Sequence, residues 1–144
     1  PLHQVFSFLL LEDSSAKQKA NHIADILGLP LFQHTTITCR LQNGPKHWLT
    51  RIKNSEFIIT DSFHGLALSL IFNKQFFVFC ASEKKFTRLH SLLKLLSLED
   101  RYIKSIEDFD RRKSTLLKPI DYTHVNAVLK SEQEKYHMFI RNSI

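Results

Sequence analysis

The sequence lacks the short motifs that identify most enzyme classes. It has three glycines, and no glycine-rich phosphate loop, nucleophile elbow or zinc-binding helix motif is present. The two cysteines, Cys39 and Cys80, have no metal-ligand spacing, so we expect both to be free thiols in a reducing compartment. We therefore expect no metal site and no cofactor. These absences exclude the commonest motif-bearing enzymes, but not enzymes in general.

Long apolar runs are absent as well. No segment approaches the roughly 18 consecutive apolar residues of a membrane span, and the apolar stretch at residues 2–11 lacks a basic leader and a cleavage site. We therefore expect a cytoplasmic protein with no transmembrane segment. The net charge of +6 favours anionic partners, but the basic residues form only short clusters such as 111–113, so we expect no nucleic-acid partner.

Short apolar runs alternate with amphipathic segments along the chain. Runs typical of strands covered on both faces occur at residues 5–11, 31–32, 57–60 and 75–80. Helical patterns occur at residues 16–27, 45–52, 63–72, 86–96 and 121–140. The alternation predicts an α/β fold, a doubly wound, Rossmann-like parallel sheet with helices on both faces, in one domain over residues 1–144. We also predict a short strand at 101–103, a brief helical turn at 106–109 and a mobile loop at 111–119.

A polar cluster separates the apolar strand at residues 57–60 from the helix that follows it. This cluster contains Asp61, Ser62 and Gly65, and it predicts a tight turn into a helix N-terminus. Such a turn exposes free backbone N–H groups and the positive end of a helix dipole, which suit a phosphate or a carboxylate. Because the flanking segments are apolar nearly all round, we expect this turn at the carboxyl edge of the sheet, near its middle, where ligands bind in open α/β folds.

Four residues are candidates for binding an anion: Ser62, His64, Gly65 and Arg88. His64 is also the candidate catalytic residue, because its ring could donate a hydrogen bond to an anion or pass a proton near neutral pH. The alternative is that His64 only satisfies the backbone of the turn. Asp61 is predicted to be structural, since a carboxylate beside an anion site would repel the ligand. Arg88 could reach the same edge and complete a two-point anion clamp, or it could be a solvated surface residue.

Several motifs in chain order resemble one known family. They are the turn motif of residues 57–65, Asn73-Lys74 before the next strand, and Arg88 followed by Ser-Leu-Leu at 91–93. The likeness continues through residues 98–101 and 119–126. Over roughly residues 45–143 the chain resembles the C-terminal half of the polysaccharide pyruvyl transferase family, whereas the first forty residues resemble it only in pattern.

The resemblance implies one half of a glycosyltransferase-B-like fold and a missing N-terminal domain that binds the acceptor. Members of the family transfer pyruvate from phosphoenolpyruvate to a sugar of a surface polysaccharide as a cyclic ketal, a step of exopolysaccharide biosynthesis. The implied partners are phosphoenolpyruvate as donor and a lipid-linked or polymeric sugar as acceptor, with His64 and Arg88 at the donor anion. Because the active site of such folds lies between two domains, we expect this chain to bind the donor and to be inactive alone.

Two other functions fit the same residues. The chain could be the nucleotide-sugar-binding domain of a glycosyltransferase, with the diphosphate at the turn. It could also be a non-catalytic binding domain, in which the turn has only a structural role. Competition with a nucleoside diphosphate separates the first alternative from pyruvyl transfer. Replacement of His64 that changes stability but no ligand binding would favour the second.

Overall fold

The structure is a computed structural model that describes residues 2–9, 14–34, 45–80 and 83–143. Strands and helices alternate through most of these residues, as the sequence pattern predicts. In chain order the elements are β1 (Leu2–Phe8), α1 (Ser14–Leu27), β2 (Leu31–His34), α2 (Pro45–Asn54), β3 (Ser55–Thr60), α3 (Phe63–Ile71), β4 (Gln75–Val78), α4 (Glu83–Leu95), a 3-10 helix (Glu99–Arg101), α5 (Ile106–Leu116) and α6 (Tyr122–Ser143).

The four strands form a parallel sheet in the order β2-β1-β3-β4. The chain first winds from β1 to β2 on one side and then crosses to β3 on the other side of β1. This reversal makes the sheet doubly wound, and it confirms the predicted α/β, Rossmann-like fold class. In open sheets of this kind, the crevice at the carboxyl ends of the two strands where the winding reverses is the usual ligand site. Here those two strands are β1 and β3.

Side chains alternate between the two faces of the sheet, and helices cover both faces. On one face Val5, Ile59 and Phe77 pack in a cluster with buried residues of α1 and α5. On the other face Phe6 and Ile58 pack in a cluster with buried residues of α2, α3, α4 and α6. Because both faces of the central strands are buried, their middle residues, such as Phe6, Ile58 and Phe76, are apolar, and polar residues lie towards the strand ends. The prediction of helices on both faces is confirmed.

The predicted short strand at residues 101–103 is wrong, because it is reduced to a single bridge. Tyr102 pairs in parallel with Val78, the last residue of β4. The backbone just before it forms a 3-10 helix, in which the N–H of Arg101 donates to the carbonyl of Leu98 (3.0 Å) and the N–H of Tyr102 to that of Glu99 (3.2 Å). These donors are therefore not available for a ladder with β4.

The predicted helical turn at residues 106–109 is the start of a longer helix, α5 (106–116), so the predicted mobile loop is wrong over residues 111–116. The hydroxyl of Ser105 begins this helix by accepting a hydrogen bond from the N–H of Asp108 (3.0 Å). Phe109 and Leu116, two helical turns apart, are buried against the sheet. Arg112 is not a solvated loop residue, since it binds the carboxylate of Asp108 (2.7 Å) and the carbonyl of residue 102 (3.0 Å).

Asp108 makes the stability of the fold sensitive to acid. The hydrogen bond from Arg112 is the main cause that lowers the pKa of Asp108 to about 2, although burial opposes it. A carboxyl whose pKa is lower in the folded than in the unfolded chain stabilises the fold above about pH 4, and this contribution is lost as the pH falls towards about 2.

We expect Asp108→Asn to lower the free energy of unfolding by about 1 kcal/mol at pH 7, a figure that allows for solvent screening of the exposed Arg111. The difference from the natural chain should shrink between about pH 4 and pH 2, because both chains then carry a neutral side chain. Urea unfolding across this range measures the difference. A constant difference at all pH values would contradict the assigned ion pair.

The long helix α6 begins where the sequence predicts a cap. The carboxylate of Asp121 accepts a hydrogen bond from the N–H of Thr123 (3.0 Å). The hydroxyl of Tyr122 binds the carbonyls of Ser69 and Lys74, next to the C-terminal end of α3. These contacts join the start of α6 to the amino edge of the sheet. No helix within the described ranges is both long and apolar enough to cross a membrane.

Candidate active site

The turn after β3 is held in place by Thr60, the last residue of that strand. Thr60 is fully buried (0% exposed), and its hydroxyl donates to the carbonyl of Phe8 (2.7 Å) while accepting from the N–H of Ser62 (3.0 Å). Phe8 is the last residue of β1, so this one hydroxyl joins the carboxyl ends of the two strands at which the winding reverses. The turn therefore starts from a fixed position in the predicted ligand crevice.

Ser62 is the N-cap of helix α3. Its backbone is extended (φ −104°, ψ 136°), and its hydroxyl accepts a hydrogen bond from the N–H of Gly65 (3.4 Å). The first helical bond runs from the N–H of Leu66 to the carbonyl of Ser62 (2.9 Å). The N–H groups of Phe63 and His64 consequently have no acceptor within the helix and point out of its N-terminus. Free N–H groups in this position suit a phosphate or a carboxylate.

Gly65 lies directly against Thr60. A Cβ atom at position 65 would be 2.3 Å from the Thr60 hydroxyl oxygen, far closer than van der Waals contact. The absence of a side chain at Gly65 therefore allows α3 to approach β3 closely. Ser69, one turn further along α3, donates its hydroxyl to the Gly65 carbonyl (2.7 Å) and strengthens the first turns of the helix.

His64 and Asp61 occupy opposite environments in the turn. His64 is exposed on the first turn of α3, and it forms no hydrogen bond or ion pair with another residue of the described ranges. Asp61 is buried (1% exposed), so its carboxylate is not presented to solvent. The turn thus exposes the imidazole of His64 to a ligand and keeps the carboxylate of Asp61 away from solvent.

Arg88 lies beside this turn, although many residues separate it from His64 in the sequence. The carbon at the centre of its guanidinium is 4.5 Å from the centre of the Phe63 ring, and Phe63 is the first residue of α3. A guanidinium that stacks on a ring can still donate hydrogen bonds from its edge, in its own plane. The structure therefore brings together Ser62, His64, Gly65 and Arg88, the four predicted anion-binding residues.

Aromatic side chains form the far side of the same edge. Phe86 of α4 packs against Tyr102, with 4.8 Å between ring centres. Burial, together with the neighbouring Cys80 thiol, raises the pKa of Tyr102 and keeps its phenol neutral. Cys80 is a half-buried free thiol just beyond β4, as predicted, whereas Cys39 lies outside the described residues. Within the described residues, no three His, Cys, Asp or Glu side chains are grouped so that they could hold a metal ion.

Sequence reasoning missed two residues that position this site. Thr60 forms a hydrogen bond to the end of β1, which depends on the pairing of two strands that are distant in the sequence. Phe63 stacks its ring against the Arg88 guanidinium, a contact between two helices. The available signal was an aromatic residue at the first position of a helix, directly after a polar turn.

Comparison with known proteins identifies the family of this region. Residues 10–79 match the family model for polysaccharide pyruvyl transferase, whereas searches of curated proteins and of solved structures gave no match. The matched range contains the turn with Asp61, Ser62, His64 and Gly65 and ends before Arg88. It lies in the first part of the chain, whereas the resemblance described above spans roughly residues 45–143. Over residues 10–79, just under half of its length, the chain is therefore similar to the polysaccharide pyruvyl transferase family.

Proposed function

We propose that this chain is the donor-binding, C-terminal domain of a polysaccharide pyruvyl transferase that uses phosphoenolpyruvate. One observation carries the proposal. At the switch point of the sheet, the N-terminus of α3, with His64 outward, stands beside Arg88 stacked on Phe63. The family match, which implies a pyruvyl donor and a sugar acceptor, supports the proposal.

The two anionic groups of phosphoenolpyruvate fit the two positive features of this site. A carboxylate is planar and accepts two parallel hydrogen bonds from the edge of a guanidinium, so we assign it to Arg88. A phosphate is the usual ligand of free N–H groups at a helix N-terminus, so we assign it to the amides of Phe63 and His64. The exposed imidazole of His64 then lies beside the donor, as a phosphate ligand or as the proton donor.

The reaction requires a proton and a change in charge at the donor. Protonation of the enol methylene gives an oxocarbenium-like carbon, and a sugar hydroxyl attacks that carbon and loses its proton. Phosphate then leaves with the C–O bonding electrons, and a second hydroxyl of the same sugar closes the cyclic ketal. Arg88 and the helix N-terminus would orient the donor and stabilise the charge on the departing phosphate. His64 is our candidate for supplying the first proton.

The acceptor must approach this edge of the sheet from outside the chain. We propose a second, N-terminal domain that completes a glycosyltransferase-B-like cleft and presents a lipid-linked or polymeric sugar in the cytoplasm. On this proposal the chain by itself binds phosphoenolpyruvate but does not turn it over. Donor binding and product formation are therefore separate measurements.

The proposal predicts which residues respond to phosphoenolpyruvate. In amide NMR spectra of the labelled chain, phosphoenolpyruvate should produce saturable shifts at residues 62–65 and around Arg88. A nucleoside diphosphate should produce none there. Saturable shifts with the nucleoside diphosphate alone would instead support a nucleotide-sugar-binding domain. If neither ligand shifts the amide signals of either region, a purely structural role for the turn would be favoured.

Replacing His64 with alanine tests whether this residue contributes to donor binding or only to the stability of the turn. Because the side chain is exposed and makes no bond within the described residues, His64→Ala should change the free energy of unfolding by less than about 1 kcal/mol. The same variant should weaken the response to phosphoenolpyruvate at residues 62–65. A large loss of stability with unchanged ligand shifts would contradict the assignment of His64 to the site.

A further inference from the structure

A second concave site lies away from the carboxyl edge. A cavity of about 440 Å³ is formed by the C-terminal end of α4, the 3-10 helix, the end of α5 and the start of α6. Its position follows from two contacts with β4. Arg101, in its wall, lies over the ring of Phe77, and the N–H of Ile120, also in its wall, binds the side-chain oxygen of Gln75 (2.7 Å). Gln75 begins β4, so the cavity lies towards the amino edge, whereas His64 and Arg88 lie at the carboxyl edge.

The wall of this cavity contains a buried arginine that forms no ion pair with a described carboxylate, although the exposed Asp100 interacts with it electrostatically. Arg101 is 4% exposed, and one of its terminal nitrogens, Nη2, donates to the carbonyl of Lys118 (2.5 Å). The other, Nη1, is buried and has no hydrogen-bond partner, the only such side-chain nitrogen or oxygen in the described part of the chain. No described carboxylate forms an ion pair with Arg101. A buried guanidinium with an unused donor is costly, so an acceptor that bears negative charge would stabilise it.

Further groups that suit an anion border the cavity. Lys118 and the imidazole of His124 lie on its exposed rim, and the N-terminus of the 22-residue helix α6 faces the same region. Two carboxylates are also present, but that of Asp121 already accepts the N–H of Thr123, and Asp100 is exposed to solvent. Arg101 is therefore the buried charged residue of the lining, and both carboxylates lie at its exposed part.

We propose that this cavity is a second anion site, which binds a compact phosphate or carboxylate group through Arg101, with Lys118 and His124 at its entrance. It is separate from the proposed donor site and does not depend on the donor's identity. Arg101 would supply the buried hydrogen bonds, while Lys118 and His124 would attract the anion and screen it from Asp100.

The test uses inorganic phosphate and acetate as separate probes of the labelled chain. Saturable shifts at residues 100–101 and 118–124 are expected with at least one probe, and the probe that saturates identifies the preferred group. Lys118→Gln should weaken that binding about threefold, as expected for the loss of an exposed charge contact. Lys130→Gln removes the same charge from an exposed position on α6 outside the cavity and should leave the affinity unchanged.

Arg101→Lys provides the stronger test, provided that far-ultraviolet circular dichroism shows the variant to be folded. Lysine keeps the positive charge but lacks the planar guanidinium that donates two parallel hydrogen bonds. The substitution should weaken binding at least tenfold, and His64→Ala should not weaken it at all. The proposal is overturned if neither probe gives saturable shifts at these residues, or if Lys118→Gln and Lys130→Gln have equal effects. Should Arg101→Lys fail to fold, the comparison of the two lysine variants decides.

Discussion

Replacing Gly65 with alanine is expected to lower the free energy of unfolding by about 3 kcal/mol, the upper part of the range for overpacking a rigid site. The added methyl would lie 2.3 Å from the hydroxyl oxygen of Thr60. That oxygen cannot easily move, because it donates to Phe8 on one side and accepts from Ser62 on the other. Relief of the clash must therefore shift helix α3 away from β3. Urea unfolding at neutral pH measures the loss.

Two further variants separate the clash from the general effect of adding a methyl group. Gly28→Ala is the matched control, because a Cβ there meets nothing within 4 Å, and only the positive φ of +69° opposes it. It should cost about 1 kcal/mol. Thr60→Ala removes the clashing hydroxyl, so the double variant with Gly65→Ala should cost less than the two single variants together. Additive costs, or a Gly65→Ala cost no larger than that of Gly28→Ala, would contradict the assigned clash.

The alternation of strands and helices could be predicted because strands and helices each have a characteristic spacing of apolar residues in the sequence. The runs around Val5, Ile58 and Phe76 are apolar on both faces, which is typical of central parallel strands. Helical spacing between them fixes the alternation. Neither signal gives the point at which the winding reverses, since that depends on the strand that β3 pairs with. The pairing of Phe8 with Thr60 is visible only in the folded chain.

The full length of helix α5 was not predicted, because only a narrow face of this helix is buried. Phe109 and Leu116 reach the core, whereas most of the residues between them are charged. A run of charges usually indicates a solvated segment, but here Arg112 is fixed by the carboxylate of Asp108 and by two backbone carbonyls. The burial of Arg101 also leaves no local signal in the sequence. An arginine between acidic and polar neighbours is usually exposed, and its burial over Phe77 follows from the bend before Tyr102.

The turn of the candidate site was predictable from the sequence, but the contact that brings Arg88 to the turn was not. The sequence around Ser62 and Gly65 contains a capping residue and a glycine at the start of an apolar helix, which are local signals. The meeting of Arg88 with Phe63 depends on α3 and α4 lying side by side on one face of the sheet. Sequence spacing alone left Arg88 equally well explained as a surface residue. The stacking contact favours the site.

Replacing Arg88 with lysine is expected to weaken the binding of phosphoenolpyruvate at least tenfold, or about 1.4 kcal/mol, although the charge is kept. A lysine ammonium is a point charge that cannot form two parallel hydrogen bonds to a carboxylate, and it lacks the flat face that stacks on Phe63. Because Arg88 is exposed, the substitution should change the free energy of unfolding by less than about 0.5 kcal/mol. Titration followed by amide NMR or calorimetry gives both dissociation constants.

Variants on helix α4 and at Phe63 distinguish a direct contact of Arg88 with the donor from a general effect of the protein's charge. Lys94→Met removes one positive charge from an exposed position in the last turn of α4, far from the carboxyl edge, and should leave the affinity within about twofold. Arg88→Met removes the same charge at the site and should weaken binding at least as much as Arg88→Lys. Phe63→Leu should weaken it about threefold, because the guanidinium loses the ring that orients it. Equal effects of Lys94→Met and Arg88→Met would show that Arg88 acts only through the overall charge of the protein, and the anion clamp would then be wrong.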